Sequence, residues 1–408
     1  MRVFDLFHDR RAGVAPLVAL AAVPLIASVG AAVDYGRVNA LRTSMQNSLD
    51  AAALVLSQQA LQLSSDQLSQ DATTYFNGNF SHPQVQNVKV TANASSQSGG
   101  ASVSMTAAGS VATLFLGVMG FSSINVSVNS TAYATADGLG CVLALDPTAS
   151  GAIATQGSAA INLSGCSLYD NSNSASALTV GGSASLSALS VGVVGGISGK
   201  AGITVTQWIR TALAAVSDPY VNYEFPKFSG CDQQNFTAKS TVTINPGVYC
   251  EGISLNAGAD VTLNSGIYYI DGGGLSVNGG ATLTGKGVTL VFTKKNGKSW
   301  PTVTINGNAT VNLTPLKSGS TGGIVVFGDR NIPVGTSFKF NGGANQYLGG
   351  AIYVPTGAIS FAGGAATSTS CTQIIGDTVT FVGNSSLAIN CSSYGTQPFS
   401  PKVVRLSL

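Results

Sequence analysis

The pattern of hydrophobic and polar positions opens with an uncharged apolar run over residues 13–33. About 20 apolar residues suffice to cross the hydrocarbon core of a bilayer as a helix. A cleaved secretory signal is one alternative, but its apolar core would end after about 7–15 residues; a buried core helix is another. Pro16 and Pro24 are compatible with a membrane helix, in which proline is tolerated. The run therefore predicts a retained transmembrane helix at residues 14–33.

Amphipathic spacing follows the apolar run without a break. Apolar residues recur every three or four positions, which is typical of one face of a helix; they are Val38, Leu41, Met45, Leu49, Ala52, Ala53 and Leu56. No proline interrupts residues 34–63. We therefore expect the membrane helix to continue into this segment as one rod of about 50 residues, roughly 75 Å long at 1.5 Å per residue.

Residues 66–136 combine alternating runs with one short apolar segment. Alternation over residues 85–91, 101–107 and 124–133 predicts half-buried strands, and residues 111–119 predict a short helix. Strand, strand, helix and strand behind a long helix form a pilin-like α+β arrangement. An ordinary membrane-proximal spacer is the alternative.

Short β runs broken by glycine and asparagine dominate the rest of the chain. Glycines that begin such runs, Gly247, Gly266 and Gly287, are 19 and 21 residues apart. A repeat of about 20 residues with short strands indicates a solenoid, in which no repeat buries its apolar face alone. The sequence favours an irregular right-handed parallel β-helix, and a β-sandwich or jelly roll is the runner-up.

Composition indicates ordered β structure rather than disorder. Only 9% of the residues are charged, but 44% are hydrophobic, and disorder requires low hydrophobicity. We expect a mainly β protein behind its N-terminal helix. The predicted divisions are a cytoplasmic N-terminus (1–13), the transmembrane helix (14–33), a pilin-like helix with a small α+β unit (34–136) and a β-solenoid domain (137–408).

One stretch interrupts the β pattern. Residues 208–216 are rich in Ala and Leu and end before Pro219, which predicts a short helix. Residues 219–230 are rich in Tyr and Phe. We interpret them as a long loop packed against the flank of the solenoid, and a contact surface for a partner protein or glycan is the alternative.

Six cysteines form three local pairs, separated by 25, 19 and 20 residues: Cys141/Cys166, Cys231/Cys250 and Cys371/Cys391. Sequence alone allows many connectivities. In a solenoid with repeats of about 20 residues such separations bring side chains onto adjacent repeats, so we expect three sequential disulfides. They predict an oxidising compartment. The absence of a C-x₂-C spacing, with His8 and His82 far away, argues against a metal site.

The titratable residues of the β region show no pattern typical of an enzyme. No histidine lies beyond His82, so a hydrolytic triad lacks its base. Polysaccharide-degrading β-helices gather Asp, Arg and Lys along one groove, whereas the candidates here are scattered: Asp260, Asp271, Lys294, Lys295, Asp329, Arg330 and Asp377. Asp329 and Arg330 are interpreted as a solvated turn. We expect no enzymatic activity and assign no catalytic, cofactor-binding or metal-binding residue.

Three short motifs follow one another within residues 10–60: Arg11 with an apolar stretch, then Gly30-Ala-Ala-Val-Asp34-Tyr, then Leu49-Asp-Ala-Ala-Ala-Leu. Their order and spacing resemble the N-terminal region of the TadE/TadG-like family of Flp (tight adherence) pilus-assembly proteins. The processed pseudopilins of that system have a glutamate shortly after their cleavage point. No glutamate occurs in residues 13–33, so the segment is closer to the uncleaved TadG type.

The resemblance implies a single-pass protein of a Gram-negative inner membrane, with a cytoplasmic N-terminus, flanked by Arg10 and Arg11, and a periplasmic C-terminal domain. We expect a structural or anchoring role in Flp pilus assembly. The expected partners are other Flp/Tad proteins and the inner membrane, with a surface glycan or protein as a further candidate. The net charge of +2 leaves no basic patch for nucleic acid. An envelope adhesin or scaffold is the alternative, and a polysaccharide-active β-helix enzyme is less favoured.

Overall fold

The chain divides into two compact units, which are Met1–Ala136 with Lys402–Leu408, and Asp137–Pro401. We call them the α+β unit and the parallel unit. The predicted cytoplasmic N-terminus (1–13) and the first residue of the predicted solenoid domain, Asp137, lie outside the described residues. The computed structural model describes residues 14–60, 63–97, 100–136, 138–343, 345–363, 371–388, 391 and 394–407.

The α+β unit begins with one long helix, α1 (Val14–Ser57). Its first half exposes apolar side chains around the whole helix, among them Leu20 and Val23, and in the described part of the chain it is the helix long and apolar enough to span a membrane. Its second half buries one stripe, and the seven residues that the helical spacing predicts are all in it: Val38, Leu41, Met45, Leu49, Ala52, Ala53 and Leu56. The predicted continuous helix is confirmed.

A second helix, α2 (Ser65–Asn79), packs Leu68, Ala72 and Phe76 into the same core. It begins with a capping box, because the Ser64 hydroxyl accepts a hydrogen bond from the Gln67 amide and the Gln67 side chain accepts one from the Ser64 amide. No helix is predicted here from the sequence. The Ser-x-x-Gln spacing was the signal for it.

An antiparallel sheet covers the other side of this core. The three strands predicted in this region are present but longer than expected, and the predicted short helix is reduced to one 3₁₀ turn, Leu116–Met119, because the second strand continues to Ala112. The last strand of the chain also pairs here, so this unit takes residues from the predicted domain 137–408. The sheet consists, in spatial order, of β1 (Val85–Gln97), β2 (Gly100–Ala112), β3 (Ser123–Ala136) and β29 (Lys402–Leu406).

The parallel unit is built from short strands. Its first group, β4–β13, comprises Gly140–Ala144, Ile153–Thr155, Ala160–Ser164, Ser167–Asp170, Leu178–Val180, Ser185–Ala188, Val191–Val193, Ile197–Ser198, Ile203–Val205 and Ile209–Arg210. Its second group, β14–β28, comprises Gln233–Ala238, Val242–Ile244, Gly247–Leu255, Asp260–Leu263, Gly266–Asp271, Gly274–Val277, Thr282–Gly285, Val288–Thr293, Thr302–Ile305, Thr310–Leu313, Ile324–Gly328, Thr336–Gly343, Gln346–Leu348, Gly350–Gly363 and Thr372–Ala388.

The described strands of this unit pair in parallel and fall into three rows. The chain passes once through each row and then returns to the first, and we call one such passage a level. In the third row, for example, Val261 lies beside Leu283 and Leu283 beside Val311 on the next level. The rows surround a continuous apolar core. The β-sandwich that was the runner-up requires antiparallel sheets, and the described pairings are not of that kind.

The levels do not follow one another in chain order. β28 pairs on one side with β27 and on the other with β4, β5 and β6. The second group of strands therefore comes first in space, from β14 to β28, and the first group continues the stack from β4 to β13. Residues 211–232, which we call the strap, return the chain from the last level to the first.

Side chains alternate between the core and the surface along each strand, as the pleat requires. In the second row an inward ladder runs through Leu255, Val277, Ile305, Phe340, Phe361, Phe381, Thr155 and Val180. The neighbouring outward ladder runs through Thr237, Ser254, Ser276, Thr304, Lys339, Ser360, Thr380, Ala154 and Thr179. The outer surface of this row is thus mostly hydroxyls.

The helix predicted at residues 208–216 is wrong. Ile209–Arg210 forms β13 and pairs with β10, and residues 211–218 form neither helix nor strand, with Val216 bound through its backbone to the side chain of Asn171. An extended chain advances about 3.3 Å per residue and a helix 1.5 Å. Because the strap has to run the length of the stack, a helix would be too short, and this requirement overrides the helix propensity of its Ala and Leu residues.

The six cysteines are paired in sequence order in the structure. The Cα atoms of Cys141 and Cys166 are 5.7 Å apart and both side chains are fully buried. The other two pairs, with Cα separations of 5.8 and 4.8 Å, are Cys231–Cys250 and Cys371–Cys391. Cys231–Cys250 joins the end of the strap to β16, so it fixes the strap where the stack begins.

Candidate functional site

The last turn of the apolar half of α1 is joined to the connection between β2 and β3. The Asp34 carboxylate accepts three backbone hydrogen bonds, from the amides of Leu114 (2.9 Å), Phe115 (2.8 Å) and Leu116 (2.8 Å). Its side chain is buried although Asp34 follows directly on the apolar run. We call this contact between Asp34 and residues 114–116 the anchor junction.

Gly30 brings the two sides of the anchor junction together. A Cβ atom at Gly30 would lie 2.5 Å from the Cβ of Phe115, which is closer than two non-bonded carbon atoms approach each other. Arg37, one turn after Asp34, donates from Nη1 to the carbonyl oxygen of Ala112 at 3.2 Å. The Gly30-Ala-Ala-Val-Asp34 motif thus joins the helix to the sheet.

The strap covers an apolar ladder on the outer face of the first row. The ladder consists of Tyr269, Val291, Phe327, Tyr353, Ile375, Leu143 and Tyr169. The Phe225 ring packs against Phe327 at 5.7 Å between centroids, and Phe228 stacks on Tyr269 at 4.7 Å. The prediction that residues 219–230 pack against the flank of the β region is therefore confirmed, and these aromatic side chains are not a free contact surface.

Arg330 holds the centre of the strap. Its guanidinium donates to the carbonyl oxygens of Tyr223 (3.0 Å) and Tyr220 (2.5 Å) and to the hydroxyl of Tyr353 (3.2 Å). The Tyr353 hydroxyl donates in turn to Asp218 at 2.8 Å, and burial, followed by the charge of Asp218, raises the pKa of Tyr353. The interpretation of Asp329 and Arg330 as a solvated turn is wrong, since Arg330 is half-buried under the strap.

The scattered carboxylates of the parallel unit bind backbone turns. Asp271 is fully buried and accepts hydrogen bonds from the amides of Lys295, Asn296 and Gly297. Asp329 accepts from the Thr293 hydroxyl at 2.6 Å and from the Asn331 amide. No group of three or more His, Cys, Asp or Glu side chains that could hold a metal occurs among the described residues.

The side chains of the remaining candidate residues do not gather around these carboxylates. Asp260 and Lys294 are exposed, and Lys295 donates from Nζ to the carbonyl oxygen of Phe228 in the strap at 2.8 Å. Asp377 lies near Asp146. Burial raises the pKa of Asp377 to about 6, and the charge of Asp146 adds to this increase. The seven candidate side chains therefore do not form one shared site.

A polar cleft of about 280 Å³ opens on the second row at the first levels of the stack. Its walls carry the hydroxyls of the outward ladder, including Thr237, Ser254 and Ser276, and the side chain of Asn235. Glu251 at its edge accepts a hydrogen bond from the Lys298 amide at 2.8 Å. The hydroxyls of this surface offer hydrogen bonds to a bound molecule.

The contribution of Asp170 to stability is expected to fall as the pH rises from about 4 to about 6. Burial raises the pKa of Asp170 to about 6, with a smaller contribution from Asp146, whereas an unfolded aspartate titrates near about 3.9. The folded state therefore holds this proton more tightly, and the free energy of unfolding drops by about 2–3 kcal/mol across the window. Denaturant titrations of the wild type and Asp170→Asn at several pH values measure the difference. The same change of the free energy of unfolding with pH in both proteins would contradict this expectation.

The long helix that is apolar in its first half and packed in its second coincides with the part of the chain that a known family matches. Residues 13–55 match the family described as Putative Flp pilus-assembly TadE/G-like, so the segment with the anchor junction is TadE/G-like, as the motifs at residues 10–60 imply. No curated protein and no solved structure matches the chain.

Proposed function

We propose that this protein is a membrane-anchored structural component of Flp pilus assembly without enzymatic activity. The observation that carries the proposal is helix α1, whose family match at residues 13–55 coincides with the exposed apolar half and the buried stripe. A helix that exposes apolar side chains around its whole circumference requires lipid or other helices around it. The proposed partners are other Flp/Tad assembly proteins and the inner membrane.

The proposed topology has residues 1–13 in the cytoplasm, residues 14–33 across the inner membrane, and the remainder of the chain in the periplasm. Three disulfides in the parallel unit support this orientation, because such bonds persist in oxidising compartments. We further propose that the parallel unit is an irregular right-handed β-helix, which its three parallel rows and repeated levels support. It would present a rigid surface to a pilus component.

A second candidate function is that of an envelope adhesin or scaffold that carries a TadG-like anchor. The outward hydroxyl ladder and the polar cleft beside Ser254 favour it, because such groups suit hydrogen bonding to a surface glycan or to a protein. A polysaccharide-active β-helix enzyme is the least supported, since the carboxylates of Asp271 and Asp329 are engaged in backbone turns.

Deletion of the gene is expected to abolish surface pili counted by electron microscopy. The full-length protein should restore them, whereas a variant in which a cleavable signal peptide replaces residues 1–33 should not, although it is exported. Export and disulfide formation of this control are verified on a non-reducing gel. Normal pili with lost surface attachment would favour the adhesin, and no change in pili or attachment would contradict both functions.

A further inference from the structure

The connection between β2 and β3, residues 113–122, exposes large apolar side chains in a segment without charge. We call it the apolar loop. Val118 is 90% exposed. Four more large side chains are between 47% and 63% exposed: Leu114, Phe115, Met119 and Phe121. A soluble protein rarely places so many apolar groups side by side in water, and such a patch marks a contact surface.

The apolar loop lies against the half of α1 that is proposed to cross the membrane. Phe115 packs on Gly30, which is one helical turn, about 6 Å, nearer the middle of the apolar run than Asp34. Beside this contact an apolar cleft of about 250 Å³ is lined by Leu25, Ile26, Val29, Gly30, Val33 and Phe115. The loop therefore stands at the depth of the last turns of the proposed span.

Most backbone amides of the apolar loop have the hydrogen-bond partners that a lipid environment demands. Asp34 accepts from the amides of residues 114–116. Val118 donates to the Phe115 carbonyl, Gly120 to that of Gly117, and Phe121 to that of Leu116. In hydrocarbon an amide without a partner costs several kcal/mol, whereas a loop in water has no such need.

We infer that the apolar loop inserts into the periplasmic face of the same bilayer that α1 spans, so that lipid acyl chains cover Val118 and its neighbours. Its exposed apolar surface continues that of α1 without an intervening charge. Arg37, bonded to Ala112 at the base of the loop, lies where a lipid headgroup would begin. The inference rests on the proposed anchoring of residues 14–33 and gives the α+β unit a second attachment to the membrane.

Tryptophan fluorescence with brominated lipids tests the insertion. Full-length protein is reconstituted into phosphatidylethanolamine and phosphatidylglycerol vesicles that contain phosphatidylcholine brominated either near the glycerol end or deep in the acyl chain. Val118→Trp is the test variant. Leu20→Trp on exposed α1 reports the anchor, and Val334→Trp, 72% exposed in the parallel unit, is the control. Trp208 and Trp300 contribute the same background in all variants.

The added tryptophan at position 118 is expected to lose roughly half its emission with bromine near the glycerol end of the lipid. The tryptophan at position 20 should lose emission with bromine deep in the acyl chain. The one at position 334 should be unaffected. Quenching at position 20 without quenching at 118 would overturn the loop insertion and leave the anchor intact. A blue-shifted but unquenched signal at 118 would mean that protein covers the loop, which also overturns it. No quenching at position 20 would refute the anchor and the insertion together.

Discussion

Phe381→Ala is expected to lower the free energy of unfolding of the parallel unit by about 3–5 kcal/mol, the usual cost of removing a buried phenylalanine. Phe381 is fully buried and lies between Phe361 and Thr155 in the inward ladder. Thr155 belongs to the first group of strands and Phe381 to the second. The cavity would therefore open at the contact between the two groups, where a small neighbour such as Thr155 is poorly suited to fill it.

The measurement is a denaturant titration followed by tryptophan fluorescence, which reports on this unit because Trp208 and Trp300 both lie in it. Thr380→Ala is the matched control, since Thr380 is the preceding residue on the same strand and faces outward; its effect should stay within about 0.5 kcal/mol. Equal losses in the free energy of unfolding of the two variants would contradict the contribution assigned to the inward ladder.

Arg330→Met is expected to release the strap and to cost about 2–4 kcal/mol, because it removes three charge-assisted hydrogen bonds while keeping an apolar side chain of similar length. The carbonyl oxygens of Tyr220 and Tyr223 would then lose their donor. Arg330→Lys should recover only part of the loss, since an ammonium group lacks the planar geometry that reaches three acceptors.

Limited trypsin digestion separates release of the strap from general destabilisation. Lys227 is exposed in the strap and offers a cleavage site once the segment lifts from the first row. Under native conditions Arg330→Met should be cut after Lys227 earlier than the wild type. Lys239→Met, which removes an exposed cation of the same unit, should leave the cleavage rate unchanged. A lower free energy of unfolding without faster cleavage at Lys227 would contradict the role assigned to Arg330.

The elements that follow from periodicity could be predicted. Residues such as Met45 and Leu49 lie on one face because a helix repeats every 3.6 residues, and glycines such as Gly247 and Gly266 mark successive strands of one row. Both patterns are local, so they can be recognised in the sequence. The helix predicted at residues 208–216 is wrong because the conformation of this segment is set by the distance that the strap has to cover.

The order of the levels could not be predicted. Spacing along the chain shows which strands are neighbours in sequence, but the pairing of β28 with β4 joins residues more than two hundred positions apart. The anchor junction was missed for a similar reason. Asp34 belongs to a motif that the sequence shows, but its three amide donors lie in a segment some 80 residues later. No residue near Asp34 in the sequence indicates these partners.

β28 and β29 complete sheets that also contain strands from much earlier in the chain. β28 (Thr372–Ala388) closes the gap between the two groups of levels, and β29 supplies the final strand of the α+β sheet. A chain cut short before Thr372 would leave open strand edges on β4, on β27 and on β3, and such edges invite aggregation.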